Sequence, residues 1–264
     1  MKYTKIKKIG VGSFGTVYLI NDKKYDDNYA LKCFNKENYE SFSNEISFLM
    51  KLNHPNIVNI INYYESPKYY NIVLPYAKLG TLNNLIQRRK NNNKQFEYED
   101  IKYIITAISR GINYLHQNKI IHCDIKPSNI LLFGNKIIKI CDFGVSKHFK
   151  TNEHNTFVGT PYYIAPEVVN EEGYNNSIDY WSLGIILYEL ITFKKPFNGS
   201  HYYQLMIQII RNNYDINIVP DKYKNLVLNL LNQDFKKRYK HRDIMRYFEN
   251  TIHFPLIIKK LQIL

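Results

Sequence analysis

Short segments in which apolar and polar residues alternate dominate the chain up to position 75. A period of two residues is typical of half-buried β-strands. The pattern predicts strands over 5–11, 16–21, 29–34, 57–64 and 70–74. A glycine-rich turn separates the first two strands, and a polar turn separates the second from the third.

Helical spacing interrupts this strand pattern once. Phe42, Ile46 and Leu49 fall on one face, which predicts an amphipathic helix over 41–52 that ends before His54-Pro55. We therefore expect one helix packed against the predicted sheet.

Beyond Gly80 the helical period dominates. It predicts helices over 82–89 and 98–117, joined by a polar surface loop, and a buried helix near 181–193. Polar residues interrupt that last apolar run, and it is too short to span a bilayer. The chain starts without an apolar segment typical of a signal peptide, so we expect no membrane association.

The order of the elements, strands first and helices afterwards, is typical of an α+β architecture with two lobes. We expect a single domain over 1–264. Its small, mainly antiparallel β N-lobe covers about 1–76 and contains the one helix. A hinge near 75–80 leads to a larger, mainly helical C-lobe over about 80–264.

Net charge and cysteine content bear on whether the chain binds nucleic acid or is held by disulfides or zinc. The formal net charge is +13, but the lysines are spread along the chain, which is typical of a solvated surface. A nucleic-acid-binding protein is the alternative, although no sequence signature of that class accompanies the charge. The three scattered cysteines do not form a disulfide framework or a zinc site. We expect a monomer in a reducing compartment, the cytoplasm or the nucleus.

A glycine-rich segment between the first two predicted strands is a candidate phosphate-binding loop. It runs Gly10, Val11, Gly12, Ser13, Phe14, Gly15. Glycines let backbone N–H groups approach phosphate oxygens closely. Dinucleotide-binding folds have a similar loop, but there it leads from a strand into a helix. A plain glycine-rich hairpin is the other interpretation.

A lysine and a glutamate support the phosphate interpretation. Lys32 follows Ala30 on the third predicted strand, and Glu45 lies on the inward face of the predicted helix with Phe42 and Leu49. An unpaired carboxylate is costly on such a face. We therefore predict that Lys32 and Glu45 form an ion pair.

Residues 121–129 bring together the groups that phosphoryl transfer requires. Asp124 supplies a carboxylate, Lys126 a cation and Asn129 an amide oxygen. A carboxylate orients the attacking hydroxyl, a cation lies near the γ-phosphate and oxygen ligands hold Mg²⁺. Asp142, which follows a short apolar strand, adds a second metal-binding carboxylate.

These motifs, together with Ala165-Pro166-Glu167, occur in the order found in the eukaryotic protein kinase superfamily. The chain resembles that superfamily from about Tyr3 to about Tyr247. The resemblance implies the bilobal kinase fold and transfer of the γ-phosphoryl group of ATP, with Mg²⁺ or Mn²⁺ as the metal.

Two segments resemble the serine/threonine class of these kinases. They are Lys126-Pro127 and Gly159-Thr160-Pro161. The resemblance implies protein substrates with serine or threonine acceptors, and the chain is similar to NIMA-related and calcium/calmodulin-type kinases. A small-molecule kinase is an alternative, but the segment 159–167 resembles one that shapes a peptide groove.

The resemblance also implies a role for each site residue. Asp124 would position the substrate hydroxyl and Lys126 would stabilise the transferring phosphoryl group. Asn129 and Asp142 would hold the metal. Lys32, held by Glu45, would bind the α- and β-phosphates. The other implied ATP contacts are the glycine loop with Ile9, Val17 and Ala30, the gatekeeper Leu74, the hinge residues Pro75, Tyr76 and Ala77, and Leu131 beneath the base.

Further positions are implied to be structural or regulatory. Asp179 would anchor the backbone of the catalytic loop, Thr160 would contact that loop, and Arg238 would pair with Glu167. The hydrophobic spine between the lobes would comprise Leu49, Ile60, His122 and Phe143, with Gly144 completing the Asp-Phe-Gly motif.

One departure from the family pattern is Cys123, which stands where the family usually has an arginine. That arginine normally contacts a phosphate on the activation loop, and a cysteine cannot form such a bidentate pair. Thr156 occupies the usual phosphosite, and Lys147 is a weaker candidate partner. We expect activity to depend little on phosphorylation of Thr156.

A pseudokinase that only binds or scaffolds is the remaining alternative. The residues whose loss would indicate it are Lys32, Glu45, Asp124, Asn129 and Asp142, and all are present.

Overall fold

The computed structural model describes residues 3–12, 15–148, 160–171, 173 and 175–250. Within these ranges the N-terminal part contains strands β1 (Tyr3–Gly12), β2 (Gly15–Asp22), β3 (Asp27–Asn35), β4 (Asn62–Glu65) and β5 (Tyr69–Pro75). They form one antiparallel sheet in the spatial order β1-β2-β3-β5-β4.

The register of this sheet decides which side chains share a face. Lys32 on β3 is paired with Val17 on β2 and with Ile72 on β5. Because side chains alternate along a strand, Lys32 projects from the face opposite to its neighbours Leu31 and Cys33. Those two residues belong to a separate apolar cluster on the outer face of the sheet.

Helix α1 (Tyr39–Leu49) packs against the inner face of the sheet and buries Phe42, Glu45, Phe48 and Leu49. It follows a short 3-10 turn, Lys36–Asn38. Phe42 stacks on Tyr70 of β5 with ring centroids 4.7 Å apart. The predicted helix over 41–52 is therefore present, but it begins two residues earlier and ends three residues earlier than predicted.

The apolar run that follows α1 does not form the strand predicted over 57–64; strand β4 begins only at Asn62. Ile57 instead makes a parallel bridge to Ile140, and the backbone N–H of Val58 donates to the carbonyl of Ile140 at 2.9 Å. The prediction was wrong at the start of this run because Ile57 and Val58 contact Ile140 in the C-terminal part of the chain and not a neighbouring strand of the sheet.

The remainder of the described chain is mainly helical. Its helices are α2 (Leu82–Asn91), α3 (Tyr98–Gln117), α4 (Pro166–Val169), α5 (Ile178–Thr192), α6 (Tyr202–Ile210), α7 (Asp221–Leu230) and α8 (His241–Asn250). Helix α3 has the predicted bounds. Helix α2 is two residues longer than predicted, and a reciprocal capping box between Thr81 and Asn84 fixes its start.

Two small antiparallel pairs and two 3-10 turns carry the loops between these helices. Strand β6 (Ile120–Ile121) pairs with β9 (Lys147–His148), and β7 (Ile130–Phe133) pairs with β8 (Ile137–Ile140). The 3-10 turns cover Pro127–Asn129 and Pro161–Tyr163. The α+β fold with a β-rich N-lobe and a helical C-lobe is confirmed.

Helix α5 is buried on all sides from Ile178 to Leu190, as its nearly continuous apolar sequence requires. Two of its polar side chains are hydrogen-bonded to Tyr163: the Ser182 hydroxyl donates to the Tyr163 carbonyl at 2.8 Å, and Glu189 accepts the Tyr163 hydroxyl at 2.8 Å. In the described ranges, none of the helices combines the length and apolarity needed to cross a membrane.

Arg238 joins three segments of the helical part. Its guanidinium donates to both carboxylate oxygens of Glu167, at 2.6 and 2.9 Å, and to the carbonyl of Ser177 at 3.1 Å. It also lies 5.0 Å from the ring of Trp181. Both charged side chains are buried, so each satisfies a charge that would otherwise be costly in this core.

We predict that Arg238→Met will destabilise the fold strongly, because it leaves the Glu167 carboxylate buried without its cation. Breaking a buried pair on one side typically costs about 3–5 kcal/mol. Urea denaturation would measure the free energy of unfolding. The control is Lys237→Met, since Lys237 is exposed and its ion pair with Asp234 lies at the surface. Equal unfolding midpoints for the two variants would contradict the prediction.

Candidate active site

Lys32 lies at the centre of the site, between two carboxylates. Its ammonium Nζ is 2.5 Å from Oε2 of Glu45 and 2.8 Å from Oδ1 of Asp142. The pair with Glu45 is the one that the sequence predicts. The contact with Asp142 was not predicted, because it depends on how the segment after β8 packs against the sheet.

Burial and charge act in opposite directions on these groups. Burial alone would lower the pKa of Lys32, but attraction to Glu45 and Asp142 outweighs it and raises the pKa above its ordinary value. Burial raises the pKa of Glu45, although Lys32 opposes the rise. Burial would also raise the pKa of Asp142, but Lys32 holds that pKa below its ordinary value. Lys32 and Asp142 are therefore charged at neutral pH.

A second cluster surrounds Asp124. Its Oδ1 accepts the hydroxyl of Thr160 at 2.9 Å, and its Oδ2 lies 2.6 Å from Nζ of Lys126 and accepts Nδ2 of Asn129 at 2.9 Å. Lys126 also donates to Thr160 at 2.6 Å. The predicted contact of Thr160 with the catalytic loop is present, and the Asp124 carboxylate is held in one orientation.

Asp179 at the start of α5 fixes the backbone of this loop from below. Its carboxylate accepts the backbone N–H of His122 and of Cys123, both at 3.0 Å, and lies 2.8 Å from Nε2 of His116. The anchoring contacts implied for Asp179 are therefore present. The contact of His116 was not predicted; the only sequence signal for it is a polar residue near the end of an apolar helix.

Two residues of the site have left-handed backbone conformations. Cys123 has φ 65° and Asp142 has φ 71°. Such conformations cost about 1–3 kcal/mol for residues other than glycine. At Cys123 the hydrogen bond of its N–H to Asp179 offsets this cost. The turn directs the next residue, Asp124, toward Lys126 and Thr160.

His122 connects the two clusters. Its Nδ1 accepts the backbone N–H of Asp124 at 3.2 Å, and its Nε2 lies 3.1 Å from the carbonyl of Cys141. Both contacts are satisfied together when the proton is on Nε2. The ring lies 5.2 Å from that of Phe143. Leu49 is buried in the same core and Ile60 packs against it, so the spine residues lie in one apolar cluster.

The glycine loop turns between β1 and β2. Gly12 is paired with Gly15, and Gly10 with Val17. A Cβ atom at Gly15 would lie 2.0 Å from the carbonyl oxygen of Cys33, so only glycine fits there. Ser13 and Phe14, which the sequence analysis includes in the ATP site, lie outside the described residues.

The predicted base-binding residues lie close to the junction of the two lobes. Ala30 is paired with Leu74, and β5 ends at Pro75, directly before Tyr76. On the other side, Leu131 on β7 bridges to Thr81. Leu74 and Ala77 are buried, and Ile9 is exposed.

The side chain of Val11 lies away from the site. Its side chain is exposed and lies on the outer face of the sheet, beside Thr16 and Tyr18, whereas Lys32 lies on the inner face. The pleat of β1 places it there, so only the backbone of Val11 can face a bound phosphate.

The oxygen atoms of Asn129 and Asp142 fit a divalent metal. The Nδ2 group of Asn129 donates to Asp124, which assigns the amide oxygen as the ligand atom, and the side chain of Asp142 is 24% exposed. Carboxylate and amide oxygens are ligands that Mg²⁺ prefers, usually together with substrate phosphates and water. Thr156, the candidate phosphosite, lies outside the described residues.

Comparison with known proteins is consistent with this geometry. A family model described as the protein kinase domain matches residues 3–248. Calcium-dependent protein kinase 4 of Plasmodium falciparum is 36% identical over 262 residues, which cover 93% of this chain and 49% of the relative.

Two other relatives carry related names. Aurora kinase of Yarrowia lipolytica is 33% identical over 254 residues, covering 91% of this chain and 66% of the relative. Serine/threonine-protein kinase Nek5 of Homo sapiens is 37% identical over 216 residues, which cover 79% of this chain and 30% of the relative. The chain spans about half the length of the calcium-dependent kinase.

We predict that Asp179→Asn will destabilise the loop and the fold. The change replaces a charged acceptor with a neutral amide whose own N–H₂ faces other donors. Hydrogen bonds to a charged group contribute about 1.5–3 kcal/mol each, so we expect a loss of about 3 kcal/mol in the free energy of unfolding by urea. Glu249→Gln, an exposed change on α8, is the control. An unfolding midpoint like that of the control would refute the anchoring role.

Proposed function

Because this chain belongs to the serine/threonine class of the protein kinase family, we propose that it is an active enzyme. In this proposal it transfers the γ-phosphoryl group of Mg-ATP to serine or threonine hydroxyls of protein substrates. The observation that carries the proposal is that the charged side chains expected at the nucleotide side and at the acceptor side of the reaction are both held by partners. Lys32 is set between Glu45 and Asp142, and Asp124 is set between Lys126 and Thr160.

The nucleotide side of the reaction depends on Lys32. Its charge is maintained by two carboxylates, so it can bind phosphate oxygens while Glu45 keeps it in place. Asn129 and Asp142 would hold Mg²⁺, and Mn²⁺ accepts the same oxygen ligands. When bound, Mg-ATP supplies the transferable group and a cation that neutralises phosphate charge.

The acceptor side depends on Asp124. Its carboxylate accepts the Thr160 hydroxyl, which shows that it can accept a hydrogen bond from an alcohol. A substrate serine or threonine hydroxyl would bind in the same manner and be oriented for attack. Lys126, 2.6 Å from this carboxylate, would stabilise negative charge on the transferring group.

Several further expectations belong to the same proposal. We propose that residues 1–264 form a single domain that acts as a monomer in the cytoplasm, without nucleic-acid partners. In the described residues Cys33, Cys123 and Cys141 are all free thiols, which supports a reducing compartment.

The test is phosphorylation of a peptide array with Mg-ATP. Lys32→Met should lower transfer by about 10²-fold or more, because it removes a preorganised charge, and Asp124→Asn by about 10²–10⁴-fold. Lys36→Met is the control, since Lys36 pairs with exposed Glu65 and lies over the ring of Tyr70, and in the described chain it makes no ion pair with a site residue. A wild-type protein that binds Mg-ATP but transfers no phosphate would favour the pseudokinase alternative.

We also predict that activity depends little on phosphate at Thr156. Cys123 is buried, its thiol contacts the carbonyl of Ile121, and burial raises the pKa of that thiol well above its ordinary value. The side chain therefore provides no cation for a phosphate.

The measurement compares phosphatase-treated wild type with Thr156→Ala. Both should retain activity within about tenfold of the untreated protein, which is about 1.4 kcal/mol in the barrier. A larger fall in either sample would show that a phosphate at Thr156 has another docking site.

A further inference from the structure

The side chain of Asn44, next to Glu45 on α1, contacts the turn that follows Asp142. Its Nδ2 atom lies 3.1 Å from the carbonyl oxygen of Ser146, 3.3 Å from that of Gly144 and 3.5 Å from that of Phe143. Three main-chain carbonyls therefore converge on one amide. An amide N–H₂ has two hydrogens to donate, and no other uncharged side chain of this size offers two.

The turn itself is closed by its own hydrogen bonds. The backbone N–H of Ser146 donates to the carbonyl of Phe143 at 3.1 Å, and the Ser146 hydroxyl donates to the carbonyl of His122 at 3.2 Å. Immediately afterwards Lys147 pairs with Ile121 in the β6–β9 ladder. The turn is thus attached to the catalytic loop on one side and to α1 on the other.

A second contact on the same face of α1 reinforces the first. Phe48, one helical turn after Asn44, packs its ring 5.0 Å from that of His148. Residues four apart lie on the same side of a helix. Helix α1 therefore contacts the segment 143–148 in two successive turns, through Asn44 and through Phe48. Glu45, the residue next to Asn44, contacts Lys32.

From these contacts we infer that Asn44 is a positioning residue for phosphoryl transfer. Its amide links helix α1, which carries Glu45, to the turn that follows Asp142, so the position of each carboxylate depends on that of the other. If α1 moves outward, both the Lys32–Glu45 pair and the bonds from Asn44 are lost. If the turn 143–146 moves, Asp142 leaves Lys32 and the same amide loses its acceptors. This inference rests on the proposed kinase function.

The bonds from Asn44 require no charge and no modification. Both the amide and the carbonyls are uncharged at every accessible pH, so a change of pH does not alter the strength of this link between the two elements. Asn44 touches neither the phosphate loop nor Asp124 in the described chain, which separates its role from that of the catalytic residues.

The test compares substitutions that remove the hydrogen-bond donor of Asn44 with a neighbouring substitution that leaves it intact. Asn44→Ala removes the donor, and Asn44→Asp keeps the shape but turns an acceptor toward three carbonyls. Ser43→Ala, an exposed neighbour on α1, is the matched control. We expect kcat for peptide phosphorylation to fall about tenfold in Asn44→Ala, at least as far in Asn44→Asp, and not in the control.

A second measurement does not use activity. Hydrogen exchange of the nucleotide-free protein should show the backbone amides of Ser146 and Lys147 exchanging about fivefold to tenfold faster in both Asn44 variants. Amides in the buried middle of α3 should be unchanged, which shows that the variants remain folded.

The outcomes separate this inference from the proposed function. Normal kcat and normal exchange in Asn44→Ala would overturn the positioning role and leave the kinase function intact. Higher activity in Asn44→Asp than in Asn44→Ala would also overturn it, since packing and not donation would then matter. An inactive wild type whose exchange still responds to Asn44→Ala would overturn the proposed function but support the positioning.

Discussion

The buried ammonium group of Lys32 holds together the parts of the protein that carry chemistry. It comes from the central strand of the sheet, while its two carboxylate partners come from α1 and from the segment after β8. Burial disfavours the charged form of each of these three groups, and the attraction between Lys32 and the two carboxylates opposes that effect. Each element is therefore held in place by the charge that the others provide.

The rest of the site follows from this constraint. Once Asp142 is placed against Lys32, the next residues must turn back toward the catalytic loop, and they do so through the ring of Phe143 on His122 and the hydroxyl of Ser146 on the carbonyl of His122. Asp179 fixes the same loop from the buried helix α5. The Lys32–Asp142 pair therefore fixes the segment after β8, and the hydrogen bonds to Asp179 fix the catalytic loop against which that segment packs.

The two lobes are held together by different kinds of contact. The helical lobe is held by a helix that is buried on all sides and by the bidentate pair of Arg238 and Glu167. The sheet lobe packs against one helix, α1, whose Phe42 stacks on Tyr70 of β5 and whose buried Glu45 pairs with Lys32. In the described chain, α1 contacts the site through Glu45, which pairs with Lys32, and through Asn44, whose amide donates to the carbonyls of residues 143, 144 and 146.

The sequence alone predicted most of the local elements and nominated the site residues. Periodicity predicts strands β1, β2, β3 and β5 and helix α3, because a repeat depends on neighbours along the chain, and the ordered motifs nominate the charged residues of the site. Only the tertiary structure decided that Ile57 and Val58 contact Ile140 in the C-terminal part, that Val11 faces outward, and that the side chains of Asn44 and His116 contact the site. These facts depend on contacts between distant segments, and packing and hydrogen-bond satisfaction set such contacts, not local spacing.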